Sequence, residues 1–475
     1  MAVGGYLIHV PQEHYASLDR RLALALKRTA GYPLLPVSSG RALITSSNFK
    51  EIRNSLGRDR YRKLLKRHRV ERVEAVDESR FLALLQSRDP ADLPKRSIES
   101  PRPRGSSQRV SLDWYLSESR LDEAWDLFGG RDKINWDNVS VGHVDTGWTF
   151  HRALGFSGTQ EEENSPWVNT NDDRNFFSGD FDRGGEGAPP PLFPVDPHSA
   201  RDRLEGPNGG HGTKTLSVLC GSDESSLARD GGGGNAGFAG YFGAAPKVPV
   251  VPVRICNTIW IELELGEGLP KAINHLVETM GCGVISLSMG SPYVFTSPRR
   301  MPLVLQEAID NAYEKGVILV CAAGNHIPNE HVVFPARCPR TIAVAGSTLA
   351  GKPWSGSSYG MHVDISAPAC PVRRAMTSWN GVQAYDYGDG TSFATPQVAG
   401  TAALWLAYRG DEIRRTYRQP WQIIAAFLQL LKTTARVPDG WETTIRGAGL
   451  LDAKALLLEP LPDAGGLAKD DVPFY

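Results

Sequence analysis

From about residue 111 onward, short apolar runs alternate with amphipathic stretches, and this alternation narrows the fold more than any other feature. The runs "NVSVGHVDTG", "KVPVVPVRI", "GVISLSMG", "GVILVCAAGN", "TIAVAGS" and "VDISAPA" read as short buried strands. Stretches such as "LPKAINHLVETM" and "PLVLQEAIDNAYEKG" lie between them with helical spacing. Strands that alternate with helices build a mostly parallel sheet, with helices covering it. The predicted fold class is therefore α/β, a mostly parallel sheet flanked by helices. Several of the runs end in Gly, Ser or Asn. In such sheets ligands bind beyond the carboxyl ends of the strands, which is where the polar residues of these runs fall.

The first part of the chain has a different pattern. "GYLIHV", "RALITS" and "RVERVEAV" read as strands, and "EHYASLDRRLALALKRTA" and "NFKEIRNSLGRDRYRKLLKRH" as helices. Residues 1–88 are expected to form a small basic α+β domain. Residues 89–110, rich in Pro, Ser and Arg, read as a linker. Residues 111–475 form the main domain, and the polar, Gly/Pro-rich stretch 155–210 reads as a long hydrated surface insertion. Charge divides the same way. Residues 1–110 hold 22 Lys+Arg and 11 Asp+Glu, whereas the whole chain is at −1. Two oppositely charged parts of one chain attract each other, so docking of the basic segment on the acidic remainder is expected.

Other classes are disfavoured. No apolar run approaches the roughly 20 residues needed to span a bilayer. The start, "MAVGGYLIHVPQEHYASL", lacks a basic opening and a long apolar stretch. A cytoplasmic location is therefore expected, with export that reads no such signal left open. The six cysteines have no metal-type spacing and several sit in apolar runs, so free buried thiols are expected. The basic run Arg58 to Arg72 lacks an aromatic platform or a known reader motif, so no nucleic acid is expected as partner. Asp and Asn oxygens in 155–210 suit calcium, but no EF-hand spacing organises them.

Four motifs carry chemistry. Asp145 follows an apolar strand in "SVGHVDTGW". His211 sits between glycines at the start of a helical run in "GPNGGHGTKTLSVLCG". Asn325 ends a strand in "LVCAAGN". Ser392 lies in "GDGTSFATPQVAG", before a long run of small apolar residues. Taken singly these are ordinary: a turn Asp, a structural His, a turn Asn and a helix-capping Ser. Together they supply an acid, a base, an amide and a hydroxyl at strand ends or helix starts of one α/β domain. The order Asp…His…Ser differs from that of α/β-hydrolases and of chymotrypsin-like enzymes.

On "VDTG", "GGHGT", "SLSMGSP" with "AAGN", and "GTSFATPQVAG", the chain resembles the subtilisin-like serine proteases (subtilases) over roughly residues 111–455. The late "GAGLLDAKALL" is similar to the family's last helix. The resemblance implies a serine endopeptidase acting on protein or peptide substrates. Ser392 would attack the peptide carbonyl, His211 would take its proton, and Asp145 would orient and support the imidazole. Asn325 and the Ser392 backbone N–H would bind the oxyanion. Ser288, Met289 and Gly290 would form one wall for the residue before the scissile bond, on an edge that pairs with extended peptide. Ala322, Ala323 and Gly324 would form the other. Pro396 would sit in the first turn of the nucleophile's helix. No cofactor is required for this chemistry, and calcium in a structural role stays open.

The sequence departs from the family pattern at several points. Asp389 stands where Asn is usual, Phe393 where Met follows the nucleophile, Lys214 where a second His follows the base, and Gln397 where a His follows the proline. Ala336, in "FPARCP", replaces a usual Gly at the loop that closes the pocket. The N-terminal residues resemble a propeptide, which implies self-inhibition, and a separate inhibitory protein is a further expected partner. The rival readings are a silent peptide-binding relative, a nucleic-acid-associated protein, and an acyl transferase or ligase on the same triad.

Overall fold

The computed structural model describes strand segments 3–9, 35–38, 41–45 and 72–77, and residues 113–472 apart from 157–163, 178–197, 205–207, 226–239, 262, 292–300, 326–330 and 378–380. The expected linker 89–110 and the basic helix between residues 58 and 72 lie outside the described residues. The chain divides into two compact units, with the main boundary between Gln108 and Arg109.

The first unit holds a four-stranded antiparallel sheet of β1 (Val3–His9), β2 (Leu35–Ser38), β3 (Arg41–Thr45) and β4 (Arg72–Asp77), in the order β2-β3-β1-β4. Three of these strands match expectation. The fourth, β2, carries Pro36 and lies at an edge of the sheet with a register irregularity at Pro36/Ser38, a place where a proline's missing N–H costs little.

The second unit is built on seven parallel strands. These are β5 (Val141–Asp145), β6 (Arg174–Asn175), β9 (Val250–Arg254), β10 (Val284–Leu287), β11 (Ile318–Ala322), β12 (Ile342–Thr348) and β13 (Ile365–Cys370). A two-residue pair, β7 (Ser222–Asp223) and β8 (Tyr241–Phe242), and a hairpin, β14 (Val372–Thr377) and β15 (Gln383–Gly388), stand outside that sheet. All six predicted strand runs fall on β5 and β9 to β13. The sheet order is β13-β12-β11-β10-β5-β9-β6. The chain starts in the middle at β5, builds β6 and β9 on one side, then returns to β10 on the other. Beyond the carboxyl end of β5 the connections part to opposite sides, which opens a crevice there. Every residue of β5, β9, β10 and β11 is buried, as expected of parallel strands covered on both faces.

The helices used below are α1 (Trp114–Glu118), α2 (Leu121–Asp126), α3 (His211–Cys220), α4 (Gly268–Asn274), α5 (Leu303–Glu314), α6 (Thr391–Thr416), α7 (Trp421–Thr433) and α8 (Ala453–Leu458). α6 is the central one. Every residue from Thr391 to Trp405 is buried, and small side chains such as Ala394, Ala399, Ala402 and Ala403 let it lie close to the sheet. Its larger anchors, Leu404 and Trp405, each contribute roughly 1.5–3 kcal/mol by leaving water.

Residues 155–210 are more than a hydrated loop. Their described parts supply edge strand β6 and the buried side chains of Val168, Asp173, Ala200 and Asp202. The aromatic trio Trp148, Phe150 and Phe156 accounts for this. The rings of Trp148 and Phe156 stack at 5.1 Å, and Trp148 Nε1 donates to Asp173 at 2.7 Å.

Candidate active site

Asp145 is the last residue of β5 and is fully buried. His211 is the first residue of α3. Two glycines let these elements meet. A Cβ on Gly212 would collide with the carbonyl of Gly147, and one on Gly147, at φ +109°, with that of Ala200. Thr146 ties the junction: its Oγ1 accepts from Gly212 N at 2.9 Å and donates to Asp202 Oδ2 at 2.6 Å. The Asp202 carboxylate also accepts from Gly210 N at 2.8 Å, and burial raises its pKa against these bonds.

His211 Nδ1 lies 2.7 Å from Asp145 Oδ1, which also accepts from Thr146 N at 2.7 Å. Burial alone would push the Asp145 pKa up. The charge and hydrogen bond of His211, with help from His143 and the Thr146 N–H, outweigh it and hold the pKa below the usual carboxylate value. With Asp145 ionised, Nδ1 of His211 carries the proton and Nε2 is left as a base.

Ser392 is the second residue of α6, not its cap. The cap position is Gly390, with no side-chain capping bond. The first helical N–H, that of Thr391, donates instead to Asn325 Oδ1 at 2.8 Å, and Thr391 Oγ1 donates to the same oxygen at 2.9 Å. Two donors on one atom fix it as the oxygen of the Asn325 amide, so the NH₂ group faces away from Thr391. Neither that NH₂ group nor the Ser392 N–H has an acceptor among the described residues. Two open donors therefore flank the serine at a helix N-terminus, where partial positive charge favours an anion.

Pro396 is the sixth residue of α6, past its first turn. Having no N–H, it cannot bond the carbonyl four residues back, that of Ser392. Ser288 Oγ supplies the missing donor, at 2.9 Å from Ser392 O. In return Ser392 Oγ donates to Ser288 O at 3.2 Å. This reciprocal pair binds the start of α6 to the end of β10. It also directs the hydroxyl to Ser288, and no hydrogen bond joins Ser392 to His211 among the described residues.

The two expected pocket walls are adjacent. Val333 N donates to Ala323 O at 3.0 Å, and a Cβ on Gly290 would collide with the Val333 side chain. Ala322, Ala323, Met289 and Ala336 are buried, and Gly324 takes φ +106°. The edge at Gly290 is already paired. Its N–H donates to Ile259 O at 3.0 Å and its carbonyl accepts from Ile261 N at 3.3 Å. An extended peptide can pair with Gly290 only if that bridge opens. A cavity of about 690 Å³, bordered by Met301, Arg337, Cys338, His362, Leu428 and Lys432, includes none of the four chemical groups.

The departures at Phe393 and Gln397 have structural roles. Phe393 packs between the His211 ring, 6.2 Å away, and the Arg374 guanidinium, 4.5 Å away. Gln397 Nε2 donates to Pro368 O at 2.7 Å and Phe393 O at 2.8 Å. The sequence reading missed His143 and Thr215, both buried beside Asp145. Thr215 Oγ1 is 3.1 Å from Asp145 Oδ2, and His143 Nε2 is 2.9 Å from Thr215 Oγ1. Their signal was a histidine inside a fully apolar strand and a hydroxyl one helical turn beyond His211. All six cysteines are free thiols. Among the described residues, no cluster of three His, Cys, Asp or Glu side chains could hold a metal ion, and no helix is long and apolar enough to cross a membrane.

Comparison with known proteins bears on the family and the fold. The sequence profile of the subtilase family matches residues 137–449. An extracellular protease of Xanthomonas campestris pv. campestris is 37% identical over 154 residues, 32% of this chain and 25% of that protein. The major intracellular serine protease of Bacillus subtilis is 29% identical over 189 residues, 39% of this chain and 54% of that protein. The matched stretches thus span about a quarter of one relative and half of the other. In fold, the chain is similar to MycP1 from the ESX-1 type VII secretion system. The TM-score is 0.50 at 20% identity, over 78% of this chain and 91% of that one.

Proposed function

The chain belongs to the subtilase family, and from that premise we propose that it is a serine endopeptidase acting on protein substrates through Asp145, His211 and Ser392. Ser392 Oγ attacks the peptide carbonyl and passes its proton to His211 Nε2. Asp145 keeps Nδ1 protonated and stabilises the imidazolium, which then gives its proton to the leaving amine. The Asn325 amide and the Ser392 N–H receive the oxyanion. Ser288, Met289 and Gly290 face Ala322, Ala323 and Gly324 across the pocket for the residue before the scissile bond.

The observation that carries the reading is the buried 2.7 Å contact from His211 Nδ1 to Asp145. An isolated buried carboxylate would be expelled or protonated; this one is held ionised by an imidazole whose other nitrogen is left as a base. The test is hydrolysis of an unfolded protein substrate by the full chain beside Ser392→Ala. Activity in the wild type and none in the variant is expected; equal activity in both would overturn the assignment.

One observation favours a second reading, a catalytically silent peptide-binding subtilase. It is the Ser392 hydroxyl bonded to Ser288 O rather than to His211. The first reading requires the Ser392 hydroxyl to leave Ser288 O for His211 Nε2, and rotation about a side-chain torsion is rapid at room temperature. Saturable peptide binding with no cleavage would favour the second.

The chemistry requires no cofactor, and activity unchanged by a calcium chelator would agree. The six free thiols favour a reducing compartment such as the cytoplasm; recovery of the protein from the medium by fractionation would contradict that. The basic residues 1–105 are proposed to restrain the acidic remainder. Their removal should raise activity, most at low salt; unchanged activity at low and high salt would refute the restraint.

A further inference from the structure

Two polar side chains approach Asp145 from places where a buried strand and a buried helix face would ordinarily carry apolar ones. His143 lies two residues before Asp145 on β5 and is 1% exposed. Thr215 lies four residues after His211 on α3, on the same helix face, and is fully buried. His143 Nε2 is 2.9 Å from Thr215 Oγ1, and Thr215 Oγ1 is 3.1 Å from Asp145 Oδ2. The direct separation of His143 Nε2 and Asp145 Oδ2 is 4.0 Å.

A hydroxyl has one proton to give and lone pairs to receive with. Thr215 Oγ1 lies 3.2 Å from His211 O and 3.1 Å from Gly212 O, as well as near the carboxylate. The charged oxygen is the strongest of these acceptors, so it takes the proton. The lone pair then receives His143 Nε2–H. That leaves His143 Nδ1 unprotonated, which suits a buried atom with no hydrogen-bond partner. Burial drives the His143 pKa down to about 4, against the pull of Asp145. The ring is therefore a neutral donor over the working range.

The two carboxylate oxygens are held unequally. Oδ1 has His211 and the Thr146 N–H. Among the described residues, Oδ2 has only Thr215 as a hydrogen-bond donor. Other polar or charged groups surround the site without bonding the carboxylate. Arg254 is the register partner of Asp145 on β9, Ser286 is that of His143 on β10, Asp202 bonds Thr146, and Lys214 lies on α3.

We propose that His143 and Thr215 form a second arm on the catalytic aspartate, His143 Nε2–H to Thr215 Oγ1–H to Asp145 Oδ2, which fixes the carboxylate plane and tempers its pull on the His211 imidazolium. The inference rests on the triad assignment made above. Both are positioning residues, since they act on substrate only through Asp145 and His211. A donor aimed at Oδ2 spreads the negative charge away from His211. Its loss therefore leaves the carboxylate freer to turn and its field at His211 stronger.

Thr215→Val keeps the side-chain shape and breaks the arm, and His143→Leu removes its far end. The readouts are kcat, KM and the pH profile of kcat/KM for the full chain on a chromogenic peptide amide. Thr215→Val is expected to lower kcat roughly tenfold with KM little changed, and to move the acid limb up by roughly half a pH unit. His143→Leu should shift both in the same direction but less, and His143→Gln, which keeps an N–H donor, should recover part. The double variant should be no worse than Thr215→Val alone, because one chain of bonds is broken once. An unmoved acid limb in Thr215→Val, or additive losses in the double variant, would overturn the second arm while leaving the triad standing. A folded wild-type chain that is inactive both with residues 1–105 present and with them removed would overturn the triad assignment and the arm with it.

Discussion

The two halves of the site are held to different degrees. On the β5–α3 side the aspartate and histidine are buried and cross-tied by Thr146, Asp202 and Thr215. On the β10–α6 side the serine is held by one reciprocal pair with Ser288, and its hydroxyl makes no hydrogen bond to the base among the described residues. The base, whose charge state must be set before substrate arrives, is built rigidly. The nucleophile, which has to move during the reaction, is left one soft torsion. Pro396 explains the arrangement on that side. By orphaning the Ser392 carbonyl it creates the demand that Ser288 satisfies.

The sharpest way to break the comparison is at the oxyanion donors. Asn325→Ala removes the open NH₂ group beside Ser392, and kcat should fall roughly 10²–10³-fold with KM nearly constant. Steady-state kinetics checks this, and a loss confined to KM would mean that Asn325 only shapes the pocket.

A smaller effect lies in acid. His143 and His151 are buried, and desolvation holds both pKa values near 4, below the unfolded value of 6.5. A histidine with a lowered folded pKa takes up its proton in the unfolded state first. These two imidazoles should therefore lose folded-state stability as pH drops from about 6.5 to about 4, against Asp113 and Asp173, whose carboxyl pKa values burial raises to about 6 and which favour the folded state as pH falls below that value. Asp145 is a carboxylate with a lowered pKa, so its contribution is present above the unfolded value of 3.8 and is lost only below it. Urea unfolding at a series of pH values separates the two windows. Replacing His143 with Leu should flatten the upper one, and an unchanged slope would contradict the neutral buried imidazole.

The smallest expected effect sharpens the serine half. Ser288→Ala leaves the Ser392 carbonyl buried without a donor and should cost about 1–2 kcal/mol of stability. Pro396→Ala restores a helical N–H to that carbonyl. In the Ser288→Ala background it should recover part of the loss, and denaturation of the four combinations gives the coupling. No coupling would mean that proline and serine do not share the carbonyl.

The sheet was legible in the sequence because its strands are buried on both faces and read as unbroken apolar runs. The four chemical groups were legible because each ends such a run or starts a helix. Three features were not. β6 is two residues long and has no periodicity to find. The β14–β15 hairpin carries Arg373, Arg374 and Asp386 where an apolar alternation would be sought, and its charges are absorbed by pairing: Arg374 binds Asp386 at 2.9 Å, and Arg373 lies 3.6 Å from Asp113. His143 was read as part of a strand because one polar residue does not alter an apolar run. Its significance depends on Thr215, 72 positions away in sequence, and only the fold brings the two together.

Covalent labelling of the purified full chain with a fluorophosphonate, read by intact mass beside Ser392→Ala, tests the central claim most directly. The reagent reacts only with a serine that a working base activates. The account predicts a single adduct on the wild type and none on the variant, so that the serine seen bonded to Ser288 turns to His211 when an electrophile arrives. An adduct on both proteins, or none on a folded wild-type chain with residues 1–105 present or removed, would contradict it.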